Sequence, residues 1–158
     1  MSVLKKIWQI KNQDPGLGVT EKLLANRGII EQDQIQSYLN PSYKKGFHNP
    51  FLMKDMDKAV ERIKKAVQNK EKIMIFGDYD VDGISGTAIL YNAIKILDGK
   101  VSYRLPHRVK DGYGLSNAFI EEFIKLGVNL AITVDCGISC KSQIELAHNY
   151  GLDVIITD

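Results

Sequence analysis

The stretch Gly77-Asp78-Tyr79-Asp80-Val81-Asp82-Gly83 sets three carboxylates at alternate positions. Wherever such a chain is extended, they project from one face about 6 to 7 Å apart. At an effective dielectric of about 20, each like-charged neighbour pair then costs on the order of 2 to 3 kcal/mol. Cations in the site would relieve that cost, and hard carboxylate oxygens favour Mg²⁺ or Mn²⁺ over zinc. Two further aspartates end aliphatic runs in the same manner, Asp135 after Leu130-Ala131-Ile132-Thr133-Val134 and Asp158 after Val154-Ile155-Ile156-Thr157. Any one of them reads as a turn or capping residue. All of them on one edge, beside the triplet, are harder to explain that way.

Two other uses of such a triplet fit less well. A calcium loop also begins D-x-D-x-D-G, but its twelfth position must be a bidentate Glu, and counted from Asp78 that position is Ile89. A haloacid-dehalogenase phosphatase uses an aspartate nucleophile and an acid two residues on, followed by Thr or Val. Here Asp82 or Ile84 occupies that slot, and the third carboxylate has no task. Downstream, Gly83-Ile84-Ser85-Gly86 opens a helix whose free amides could receive a phosphate oxygen. Gly83 and Ser85 are therefore candidate substrate contacts, although close packing of helix on strand explains the glycines equally well.

The elements that must hold these residues alternate. Apolar positions Met56, Ala59, Val60, Ile63, Ala66 and Val67 recur at helical spacing from Asp55 onward. Then come a strand over 73–76, a helix over 83–97, a strand over 101–105 and a helix over 116–126, capped by Ser116 and closed by Gly127. A strand over 130–134, a helix over 139–150 and a strand over 154–157 follow. Near-continuous aliphatic strands between helices predict an α/β fold, a mostly parallel sheet with helices on both faces. Ligands in such folds sit beyond the carboxyl ends of the strands, which is where Asp78, Asp135 and Asp158 stand. Residues 1–54 read as a small helical and loop segment, with one helix after Thr20 ending at Gly28 and another over 31–39 stopped by Asn40-Pro41. Residues 55–158 read as the first part of the main domain.

Composition sets outer limits. The chain has 158 residues, 44% hydrophobic and 25% charged, which suits a globular domain with a real core. No apolar run reaches the roughly 20 residues of a membrane helix, and Met1 to Ile10 lacks a signal-peptide core. The expected location is the cytoplasm, away from membranes. Cys136 and Cys140, spaced CxxxC, read as two buried reduced thiols. Residues 1–76 carry 14 Lys+Arg against 8 Asp+Glu, and residues 77–158 carry 7 against 11. A basic front section accommodates a polyanion, though a solvated surface of that charge is ordinary.

The motifs carry a resemblance. GDYDVDG is similar to the first motif of the DHH phosphoesterases, VDCGIS to the second, and VIITD to the strand leading into the Asp-His-His triplet of that family. Tyr103 to Arg108, Asp111 to Leu115, Asn40-Pro41 and Asp55 to Ala59 resemble its RecJ branch. The resemblance implies that Asp80, Asp82 and Asp135 ligate metal, that Asp78 ligates or supports, and that Asp158 opens the triplet. Asp80, Asp82, Asp135 and Asp158 would be the catalytic set, with Asp135 a candidate bridge. Arg108 and the Gly112-Tyr113-Gly114 turn would lie near the substrate phosphate, and Arg104 and Lys110 would help grip a strand. Two Mn²⁺ or Mg²⁺ ions, 5′ to 3′ hydrolysis of single-stranded DNA to mononucleotides, and a place in repair and recombination, with partner proteins unknown, are implied likewise. Two histidines, a further carboxylate and a second domain should follow Asp158, so this chain is expected to be a front fragment, inactive alone. The remaining alternatives are a hydrolase of oligonucleotides, cyclic dinucleotides or pyrophosphate, and a non-catalytic remnant.

Overall fold

The structure is a computed structural model that describes residues 14–158; the first 13 residues of the expected helical front segment lie outside the described residues. The chain divides into two compact units, Met1–Leu52 and Met53–Asp158.

In the first unit, α1 spans Val19–Ala25 and α2 spans Gln32–Leu39. Gly18, and not Thr20, caps α1. The Glu21 carboxylate reaches back to accept the Gly18 N–H at 2.6 Å, one half of a capping box, and the helix starts two residues earlier than a Thr20 cap would place it. Leu24 is buried beneath it. Gly28 adopts φ 77°, and the Ile29 N–H donates back to the Leu24 carbonyl, closing the helix end. Helix α2 ends where Pro41 forbids its continuation. A four-residue helix α3 (Tyr43–Gly46) and a 3₁₀ turn (Pro50–Leu52) follow, elements too short to leave a periodic pattern.

The second unit opens with α4 (Met56–Gln68) and continues β1 (Lys72–Gly77), α5 (Val81–Ile96), β2 (Lys100–Arg104), α6 (Asn117–Lys125), β3 (Leu130–Val134), α7 (Lys141–Asn149) and β4 (Asp153–Thr157). All strand pairs are parallel, in the order β2-β1-β3-β4. The α/β architecture is the expected one. Successive strand residues point to opposite faces, and two separate cores result. Met74 and Phe76 of β1 pack with Phe119, Ile120 and Phe123 of α6 and Ala147 of α7. Ile73 and Ile75 pack on the other face with Ala66 of α4 and Ile94 of α5. Each such side chain contributes roughly 1.5 to 3 kcal/mol by leaving water. Burial on both faces is why the strands read as unbroken aliphatic runs.

Arg62 on α4 fastens the start of the sheet. Its Nε donates to Asp153 at 2.7 Å and its guanidinium also reaches Glu71 at 2.8 Å, joining α4, the turn before β1 and the start of β4. At helix starts the structure departs from the sequence reading. Helix α5 begins at Val81 rather than Gly83, α7 begins at Lys141 rather than Ser139, and the Ser116 side chain makes no capping bond to α6. Among the described residues no helix is long and apolar enough to cross a membrane.

Candidate metal centre

Strand register builds the site. Gly77 pairs with Val134, and Val134 with Thr157, so the next residues, Asp78, Asp135 and Asp158, leave three adjacent strands in one row. Two backbone bonds extend the ladder past the strand ends, Asp78 N–H to the Val134 carbonyl at 3.1 Å and Asp135 N–H to the Thr157 carbonyl at 2.8 Å.

Asp78, Asp80 and Asp135 each bring a carboxylate oxygen within 4.8 Å of the other two. Asp78 is 4% exposed, and its Oδ1 is buried without a hydrogen-bond partner. A buried carboxylate oxygen left so is costly unless something positive meets it. Asp80 is the N-cap of α5, its Oδ1 accepting from the amides of Asp82 at 3.1 Å and Gly83 at 3.0 Å. Asp135 sits at φ 60°, a left-handed conformation that aspartate tolerates better than most residues. Burial pushes the Asp135 carboxyl above its ordinary value, and the charge of Asp80, a hydrogen bond with it, and the charges of Asp82 and Asp78 push it further. Three hard oxygen donors, one orphaned and one resisting ionisation, fit a divalent cation of the Mg²⁺ or Mn²⁺ type.

The remaining candidates are placed differently. The alternating extended geometry expected for Asp78, Asp80 and Asp82 stops at Asp80, because its side chain caps α5 and coils the chain from Val81 onward. Asp82 therefore lies in the first helical turn, exposed and outside the close group of three, though its charge still reaches Asp135. Asp158, also outside that group, accepts the Ile138 N–H at 2.9 Å. The Gly83 amide is engaged by Asp80, and the Ser85 hydroxyl donates to the Val81 carbonyl at 2.6 Å, so neither donor is left over for a phosphate. Gly83 serves packing instead: a Cβ there would fall 2.5 to 2.7 Å from the backbone of Asp78.

A cationic and aromatic array borders the carboxylates. The Arg108 guanidinium lies 5.1 Å from the Tyr79 ring centroid, and Tyr79 meets Tyr113 edge to face at 6.4 Å. The Tyr113 hydroxyl donates to the Asp135 carbonyl at 3.4 Å. Gly112 at φ 76° and Gly114 at φ 83° supply the left-handed turns on either side of Tyr113. Burial and then the charges of Asp158 and Asp78 raise the Tyr113 phenol further above its ordinary value. Tyr79 belongs to this array although the sequence reading singled out only its acidic neighbours; an aromatic between two metal-ligand candidates was the available signal. Arg104 is directed elsewhere, stacked 5.2 Å over Phe119 and 3.5 Å from Glu122. Both cysteines are free thiols. Cys136 is buried, its thiol pushed up to about 12 by burial and then by Asp78 and Asp158, whereas Cys140 is only half-buried.

Known proteins resemble this chain in sequence and fold. The family model described as "DHH family, N-terminal domain" matches residues 72–158. The single-stranded-DNA-specific exonuclease RecJ of Bacillus subtilis is 36% identical over 169 aligned positions, covering 100% of this chain and 21% of that protein. A crystal structure of exonuclease RecJ bound to manganese superposes with a TM-score of 0.64 at 34% identity, covering 67% of this chain and 27% of that one. RecJ from Thermus thermophilus in complex with Mn²⁺ gives 0.61 at 26% identity, covering 90% and 19%. The chain spans about a fifth of the length of such relatives. Its four-stranded parallel sheet, with an acidic row at the carboxyl edge and the family's domain matched from Lys72 to the last residue, belongs to the DHH family.

Proposed function

We propose that this chain is the metal-binding front part of a single-strand-specific DNA exonuclease of the RecJ kind. The observation that carries the reading is the close trio Asp78, Asp80 and Asp135, with an orphaned oxygen on Asp78, set beside the Arg108, Tyr79 and Tyr113 array. In this reading Asp78, Asp80 and Asp135 hold Mn²⁺ or Mg²⁺, and Asp82 and Asp158 add negative charge at the margin. Residues 55–158 are the first part of the phosphoesterase domain, and 1–54 an appended segment. Free thiols at Cys136 and Cys140 accord with a cytoplasmic protein.

When bound, such ions supply an acidified water and screen the charge of the phosphodiester. The chain's own residues supply position and discrimination. Asp80 is held by two helix amides through one oxygen, so its carboxylate has a fixed direction. Arg108 rests on the Tyr79 ring, which keeps a guanidinium beside the acidic row to meet a phosphate that the carboxylates would otherwise repel. The rings of Tyr79 and Tyr113 offer faces and edges to an unpaired base, a contact that a stacked duplex does not make.

The test is Mn²⁺-dependent release of mononucleotides from a 5′-labelled single strand. The chain, a version extended to the length of its RecJ relatives, and Asp80→Ala and Asp135→Ala variants of the latter are compared. The extended protein should cut, and each variant should lose at least about 100-fold in rate, as removal of a centre of metal and electrostatic stabilisation does. Cleavage of dinucleotides or pyrophosphate with the single strand left intact would overturn the substrate assignment while leaving the family in place.

A further inference from the structure

A second candidate for contact with nucleic acid lies in the first unit, away in sequence from every carboxylate of the metal centre. Tyr43 and Phe47, at the two ends of α3, stack with ring centroids 5.5 Å apart and planes 10° from parallel. Stacked aromatic pairs usually sit in cores, yet Tyr43 is 85% exposed and Phe47 75%. Lys44 lies between them in the chain and His48 directly after, both exposed. From Tyr43 to Leu52 the chain has no Asp or Glu. Parallel rings already at stacking distance, left in water beside a cation and with no acid in the segment, match one class of ligand well. Unpaired bases present flat faces to the rings, and the phosphates between them meet Lys44.

We propose that Tyr43 and Phe47, with Lys44, form a stacking platform for single-stranded nucleic acid that shares no residue with the metal centre. This rests on the reading of the chain as part of a single-strand nuclease and adds to it a point of grip that does no chemistry. Because the rings are pre-stacked, less ordering is needed when a base joins them. Preference for a base should be weak, since every base has a face to offer.

The experiment measures anisotropy of a labelled dT oligomer of about 12 nucleotides with the 158-residue chain in EDTA. A parallel melting scan with and without Mn²⁺ reports on the carboxylates. The Tyr43→Ala/Phe47→Ala variant should bind about tenfold more weakly, keep its melting temperature, and keep its response to Mn²⁺. Phe47→Trp should restore binding, with the new indole quenched by the strand when measured in a Trp8→Phe background. Lys44→Glu should weaken binding and lower the salt slope by about one phosphate contact. The platform is overturned if the double variant binds as the parent does, or if a duplex binds as well as the single strand. A chain whose binding depends on the two rings but whose melting ignores Mn²⁺ would keep the platform and sink the metal reading; the reverse result would do the opposite.

Discussion

Asp135 joins two uncommon features, a left-handed backbone at φ 60° and a carboxyl that resists ionisation because of burial and three neighbouring aspartates. A group whose folded value is raised adds stability below its unfolded value, here 3.8, and that stability is lost as pH rises through the raised value. In the metal-free chain the contribution of Asp135 to the melting temperature should therefore fall as pH rises above about 4, and Mn²⁺ should restore it. Asp135→Asn, which keeps a side chain suited to φ 60°, should flatten that profile and abolish the Mn²⁺ response in the same melting scans. Gly83→Ala should cost about 1 to 3 kcal/mol by pressing a methyl against the Asp78 backbone, and it should weaken Mn²⁺ binding measured by calorimetry. An unchanged metal affinity would show that Asp78 does not bear on the ion. Asp78 and Asp135 were legible in the sequence because each ends an apolar run. The placement of Asp82 was not, because it depends on whether Asp80 caps a helix or continues a strand, and the spacing of the acids permits both. Tyr79 was hidden for a similar reason: its role exists only once the Gly112-Tyr113-Gly114 turn comes back over it.

At the scale of elements, burial on two faces made the strands readable to within a residue or so. It also makes them unforgiving. Ile75, wholly buried in the middle of β1, packs between neighbours on both sides, and Ile75→Ala should cost about 2 to 5 kcal/mol in urea unfolding. Arg62 gives a different test. Burial raises the Glu71 carboxyl, but hydrogen bonds from Arg62 and Asn69 and the charge of Arg62 outweigh it and leave Glu71 below its ordinary 4.5. Stability from a lowered carboxylate is present above the unfolded value and lost as pH falls through the folded one. Acid unfolding should therefore steepen below about pH 4.5, and Arg62→Met should remove that part of the slope, as circular dichroism against pH would show. Nothing in the local sequence announced this contact, because its partners are 9 and 91 residues away from Arg62. Helix α3 and the 3₁₀ turn were invisible for the opposite reason, being too short for any periodic pattern to repeat.

The molecule as a whole is uneven. Of the described core residues only Leu24 belongs to the first unit, while both clusters and the acidic row lie in the second. Residues 53–158 alone should therefore unfold in a single cooperative transition and keep the Mn²⁺ shift in melting temperature. Loss of cooperativity on removing 1–52 would mean that the front segment completes the core. The acidic row also has a consequence for how such a centre can change. Asp78 and Asp135 follow paired residues on neighbouring strands, and neighbouring strands lie about 4.7 to 4.9 Å apart whatever their side chains. Asp80, the third member of the trio, hangs from the N-cap of α5, so strand spacing governs only Asp78 and Asp135. The edge of the sheet thus acts as a ruler with a single graduation, cut into the backbone and shared by every chain that folds this way. Mutation can blunt a mark by replacing an acid, or lengthen its reach with a longer one, but no substitution within the strands can move the marks apart.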